Sequence, residues 1–161
     1  MDWDYARAGL ALLLGATLIA AGIEDARTRE IADWKSIAIA LLAPLWWWAN
    51  GASLWPGAAV QIGVAIATFA LFAAAFHFGA MGGGDVKLIT ALSLWLPPIV
   101  FVGMLMAMSI AGGAVTLAML VQRRLQRRAG EGQAPIEVPY GVAIAVAGLL
   151  SLREPILNQF G

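Results

Sequence analysis

Apolar positions along the 161 residues gather into six runs separated by short polar stretches. Ala8–Ile23 carries no charge, and Ile37–Ala49 follows a polar segment. Gly57–Ala80 is interrupted only by Gln61, Thr68 and His77. Val86–Leu96, Lys87 apart, stops at Pro97-Pro98; Ile99–Val121 is uncharged, and Val138–Leu152 is the last run. A helical span of the bilayer needs about 20 apolar residues, within roughly 17–25. The third and fifth runs meet that length. The others are short, and short segments cross where the bilayer thins or where a helix breaks at a cavity. The pattern predicts an all-α, polytopic membrane protein: a bundle of six transmembrane helices with short first, second, fourth and sixth spans. No repeat or change of composition divides the chain, so residues 1–161 read as a single integral-membrane domain. Gln122–Glu137 reads as a solvated hinge.

The basic residues orient this bundle. Six crossings place Glu24–Ser36, Gly79–Lys87 and Gln122–Glu137 on one side, with eight of the ten cations. The other side holds both termini and keeps only Arg7 and Arg153. Cytoplasmic loops carry the excess of Lys and Arg, so the first side is cytoplasmic and both termini lie outside. Five spans would put Arg123–Arg128 outside, against that rule. Trp46, Trp47, Trp48, Trp55 and Trp95 fall at the expected outer helix ends, where indoles collect at the interface. Asp2 and Asp4 stand where a signal peptide would be basic, which favours a retained first helix.

Composition narrows the chemistry. The chain is 61% hydrophobic and 12% charged, whereas a soluble domain carries about a quarter charged residues. That excludes a disordered chain and a water-soluble globule. With no cysteine, disulfide scaffolds, zinc ribbons and thiol nucleophiles are excluded. A net charge of zero with scattered cations gives a nucleic-acid partner no electrostatic support. Of the ten acidic residues, Asp2, Asp4 and Glu154 lie near the termini, and Glu131 and Glu137 lie in the basic loop. There remain Glu24 and Asp25 with Glu30 and Asp33, and the lone Asp85.

Asp25 ends the first expected helix and Asp85 opens the fourth, so two carboxylates distant in sequence reach one cytoplasmic membrane level. Ionisable residues there are functional candidates. In Asp25-Ala26-Arg27 and in Asp85-Val86-Lys87 acid and base are two positions apart, about 200° around a helix. Each base can then snorkel to headgroups while its aspartate faces inward. Gly82-Gly83-Gly84 permits positive φ and close backbone approach, a seat for an extended peptide. Two carboxylates held together can share one proton, the ionised one activating a water and the other donating to a carbonyl. Such chemistry needs no metal and no cofactor. Plainer readings exist: Asp85 as a helix N-cap, Asp25 paired with Arg27 or Arg29, His77 as a packing residue. A further alternative is a small transporter or proton-conducting subunit with the same aspartates as ion sites.

Three segments carry a family resemblance. Asp25-Ala26-Arg27-Thr28-Arg29-Glu30-Ile31-Ala32-Asp33-Trp34 resembles the first aspartate motif of the type IV prepilin peptidases, where an Ile-Pro-Asn-like turn follows. Gly82-Gly83-Gly84-Asp85-Val86-Lys87-Leu88 is similar to their Gly-x-Gly-Asp-x-Lys signature, and Val138-Pro139-Tyr140-Gly141-Val142-Ala143 to the Pro-Tyr-Gly element of their last helix. The resemblance implies a membrane-embedded aspartic endopeptidase that removes the short basic leader of prepilins at the cytoplasmic face of the bacterial inner membrane. It implies Asp25 and Asp85 as catalytic residues, and Gly82, Gly83, Gly84, Lys87 and Arg27 as substrate-binding residues. It also implies a prepilin, with its leader and hydrophobic helix, as protein partner, and the membrane lipid around it. Ala32-Asp33 departs from the family's Pro-Asn. The missing cysteines resemble the short, peptidase-only type of tight-adherence (Flp) pili, for which no N-methyltransferase activity is expected. The related presenilin-like proteases place a tyrosine before the first aspartate and carry Pro-Ala-Leu; here Glu24 precedes Asp25 and Tyr140 follows Pro139.

Overall fold

A computed structural model describes residues 3–128 and 140–152. Among them are six helices: α1 Trp3–Thr28, α2 Asp33–Ala49, α3 Ala59–His77, α4 Gly83–Ser93, α5 Pro98–Arg128 and α6 Tyr140–Ser151. A wide helical turn at Leu54–Ala58 leads into α3, and the described residues contain no strand. Val138, Pro139, Glu131, Glu137, Arg153 and Glu154 lie outside the described residues.

Three stretches are long and apolar enough to cross a membrane: Trp3–Thr28, Leu54–His77 and Pro98–Val121. The first span is therefore not short. Its polar ends continue the helix on both sides of the apolar run, with Asp4 and Arg7 paired at 3.3 Å and the Arg7 Nε–H donating to the Ala49 carbonyl at 2.8 Å. The expected hinge over Gln122–Glu137 does not open at Gln122, since α5 stays helical through Arg128; residues 129–137 lie outside the described residues. Leu12, Ile66, Leu71 and Ile110 are exposed on the long helices, while α3 buries only Ala65 and Thr68. Apolar surface outside and small residues inside is the distribution that lipid as solvent dictates.

Helix α4 is the core. Leu88, Ile89 and Leu92 are fully buried, and Trp95 and Leu96 nearly so, against α2, α3 and α6. At 11 residues α4 reaches only about 16 Å, half the hydrocarbon thickness. A helix that stops there leaves the carbonyls at its C-cap and just beyond without water, and in lipid each must find an internal donor. Side chains of neighbouring helices supply them. The Trp47 indole donates to Leu94 O at 2.6 Å, the Trp46 indole to Trp95 O at 3.1 Å, and the Gln61 amide to Leu96 O at 3.0 Å. Trp95 in turn donates to Ile39 O at 2.8 Å. Trp46 and Trp95 are thus buried and stacked, not part of an interfacial belt; Trp48 and Trp55 remain exposed. Removing a donor from a buried carbonyl costs about 1–3 kcal/mol. Trp46→Phe and Gln61→Leu should each lower the thermal unfolding midpoint in detergent, while Trp48→Phe should leave it unchanged.

Helices α1 and α6 cross closely through small residues. A Cβ on Gly22 would stand 2.9 Å from Ala145 Cβ, and one on Gly148 would stand 3.0 Å from Leu18 Cδ1. This contact brings the C-terminal end of α1 to the N-terminal end of α6. The N-terminus of α4 arrives at the same place, which assembles the site.

Candidate active site

A cavity of about 230 Å³ is lined by Asp25, Arg29, Glu30, Ile31, Gly82, Gly83, Gly84 and Asp85. Two chain segments line it, one from the end of α1 and one from the start of α4, and a third, the start of α6, packs behind Asp25.

The first is the end of α1. Asp25 lies one turn before the helix stops at Thr28, and Arg29 adopts φ 59°. The Arg29 N–H donates to Asp25 O at 3.0 Å, a left-handed stop in which the residue past the helix closes the last turn. That stop turns Arg29, Glu30 and Ile31 back over the helix end and into the cavity wall. Asp25 is buried at 5% exposure, and its Oδ2 accepts the Val142 N–H at 3.2 Å. Its carboxylate therefore sits in the first turn of α6, next to the partial positive charge of that helix end. Within the described residues it has no ion pair, so the pairing with Arg27 or Arg29 is not made.

The second segment is the start of α4. Gly82 is the N-cap and makes no side-chain capping bond; Gly83 and Gly84 are helical, with Asp85 in the first turn. Asp85 is therefore not the N-cap. The three glycines are not used for positive φ either: Gly82 has φ −75°, and in the preceding loop only Gly79, at 71°, is left-handed. Space is what they supply. A Cβ on Gly84 would meet Ile31 Cβ at 3.1 Å and Ile31 O at 3.3 Å, and one on Gly82 would meet Asp85 Oδ2 at 3.1 Å. The first hydrogen bond into the helix is Val86 N–H to Gly82 O, so the N–H groups of Gly83, Gly84 and Asp85, all residues of the lining, have no partner within the helix. Asp85 is 7% exposed and close enough to Asp25 to interact with it electrostatically. Its Oδ1 is buried without a hydrogen-bond partner among the described residues.

The third segment is α6. A Cβ on Gly141 would stand 2.7 Å from Ile31 Cδ1 and 2.8 Å from both Cβ and Cγ of Asp25. No side chain fits there without moving the aspartate.

Asp25, Asp85 and Gly82–Gly84 are thus brought together, whereas Arg27 and Lys87 are not in the lining. Arg27 is exposed on the outer face of α1. Lys87 does not reach freely for headgroups: its Nζ donates to Asp33 Oδ1 at 2.7 Å, joining α4 to the start of α2. His77 is exposed at the end of α3 and stands outside the lining. Sequence alone does not assign Arg29, Glu30, Ile31 and Gly141 to the site, although all four stand in the segments that carry the resemblance; the first three line the cavity and Gly141 packs on Asp25. Among the described residues no group of three or more histidine, aspartate or glutamate side chains is placed to hold a metal ion.

The type IV leader peptidase family matches residues 12–117, well over half of the chain and a span that includes both aspartates. The chain belongs to that family, a class of membrane proteins whose function is of the prepilin leader peptidase kind. No curated protein and no solved structure matches it. Membership in a peptidase family sets aside the transporter alternative.

Proposed function

We propose that this chain, as one domain over residues 1–161, is an aspartic endopeptidase that cuts the leader from a prepilin of the Flp type at the cytoplasmic face of the inner membrane. The observation that carries the proposal is the pair of buried carboxylates, Asp25 from α1 and Asp85 from α4, lining one small cavity. In the proposed reaction one carboxylate takes a proton from a water while the water oxygen attacks the scissile carbonyl carbon. The other carboxyl gives its proton to the carbonyl oxygen, forming a tetrahedral diol. Collapse breaks the C–N bond as a proton passes to the leaving nitrogen, and the pair again holds one proton. The unsatisfied N–H groups at the start of α4 seat the substrate backbone, and Gly82–Gly84 leave it room. Arg27 and Lys87, outside the lining, act on the substrate's approach. The eight cations within Glu24–Ser36, Gly79–Lys87 and Gln122–Glu137 support its cytoplasmic orientation, with both termini periplasmic.

The test is cleavage of an Flp-type prepilin by the purified chain in liposomes, read by mass spectrometry of the new N-terminus. A single cut ahead of the hydrophobic helix is expected, undiminished by a metal chelator and with no methyl group added when S-adenosylmethionine is supplied. Loss of cleavage on chelation would overturn the two-carboxylate mechanism, and a methylated product would overturn the peptidase-only assignment.

A further inference from the structure

The loop between α1 and α2 forms a wall of the cavity, and its backbone is held by one carboxylate that the reaction does not use. Glu24 directly precedes Asp25. Its Oε2 accepts both the Ala32 N–H, at 3.1 Å, and the Lys35 ammonium. Lys35 is 5% exposed, unusual for a lysine and tolerable only because it is paired. Its Nζ also lies over the Trp34 ring, 5.1 Å from the centroid. The bond to Ala32 fixes the residue between two functional contacts. On one side Ile31 is wedged between Gly84, which precedes Asp85, and Gly141, which packs on Asp25. On the other, Asp33 holds Lys87 of α4. Loosening Ala32 frees Ile31 from both glycines at once.

We infer that Glu24 and Lys35 are a positioning pair for the leader peptidase reaction: they clamp Ala32 so that Ile31 keeps the Asp25 and Asp85 ends of α1 and α4 in register. The inference rests on the proposed role of those two aspartates. Ala32 itself indicates how the clamp works. Its φ is −61° and ψ 129°, the backbone that a proline ring imposes, and its N–H is engaged only with Glu24. A proline at this position would hold the same φ without needing the Glu24 acceptor.

That property gives the test. In the liposome assay, per folded enzyme as judged by a monodisperse peak in detergent, Glu24→Ala and Lys35→Met should each lower kcat at least tenfold with KM within about threefold. The double variant should be no worse than the worse single, because both remove one clamp. Ala32→Pro/Glu24→Ala should recover kcat to within about threefold of the unaltered enzyme, and Lys35→Arg should retain it. Asp4→Asn, at the far end of α1, should not change the rate. A merely structural ion pair would lower the folded yield and leave kcat per folded enzyme intact, which would overturn the inference, as would failure of proline to rescue. If Glu24→Ala yields no folded protein, Glu24→Gln, which keeps an acceptor for Ala32, carries the comparison with Lys35→Met, and wild-type kcat in both overturns the inference. Asp25→Asn and Asp85→Asn, run alongside, separate the two levels. If they remain active, the site reading has failed. If they are inactive while the Glu24 and Lys35 variants are normal, only the clamp has failed.

Discussion

Exchanging either Asp25 or Asp85 for asparagine should reduce kcat/KM for leader cleavage by about 10³-fold, within the 10²–10⁴ that a positioned acid–base group contributes. Asparagine keeps the size of the side chain, so the cavity and the α4 start are preserved. It removes the ability to take and give a proton. At position 25 the amide oxygen still accepts the Val142 N–H, which keeps the α1–α6 contact; at position 85 the residue remains in the first turn of α4 behind the Gly82 N-cap. Both variants should therefore be folded and inactive. Two buried carboxylates that served only the packing of the bundle would give the opposite result: cleavage retained per folded enzyme, with the thermal midpoint shifted instead.

The second large effect is expected at Gly141. Alanine there places a methyl group 2.8 Å from both Cβ and Cγ of Asp25, closer than real contacts allow. The Ile31 Cδ1 methyl, at 2.7 Å, can swing aside, but Asp25 Cβ is fixed to the α1 backbone. Either the aspartate tilts or α6 withdraws. Alanine is the better helix former by about 1 kcal/mol, so helix propensity works against destabilisation and the loss falls on the site. A displacement of about 1 Å at a reacting group is enough to cost 10²-fold in rate. Gly141→Ala should thus lower kcat about 100-fold with a modest loss of stability, whereas Gly113→Ala, whose Cβ would meet nothing within 4 Å, should change neither. Cleavage rate and thermal midpoint measured on the same detergent preparations check both statements.

Much of this architecture was legible in the run of residues, and the limits follow from what a local pattern can encode. Apolar runs marked the six helices because lipid selects for them along the chain itself. They understated α1 and α5, since charged residues at the membrane edge continue a helix without continuing its hydropathy; Glu24–Thr28 and Gln122–Arg128 are such ends. Asp25 and Asp85 stood out because a buried carboxylate in an apolar chain has few reasons to be there. The wall around them did not stand out. Ile31 looks like any apolar residue, and what matters is that it meets Gly84 and Gly141, which lie far along the chain. The tryptophans misled for a related reason. An indole at a helix end reads the same whether its N–H faces headgroups or caps a short neighbour, and only the fold shows Trp46 and Trp47 capping α4. Likewise, three glycines in a row signal freedom or space equally well. Here helical φ/ψ at Gly83 and Gly84 leaves space as the reason.

The central claim is that Asp25 and Asp85 act as one acid–base unit in leader cleavage. The most direct measurement is kcat/KM of the Asp25→Asn/Asp85→Asn double variant beside the two single variants, on the same prepilin in the same liposomes. One unit predicts that the double variant falls no further than about tenfold below either single, because the first substitution already removes the shared proton transfer. Losses that multiply, or a single variant that still cleaves at the unaltered rate, would contradict it.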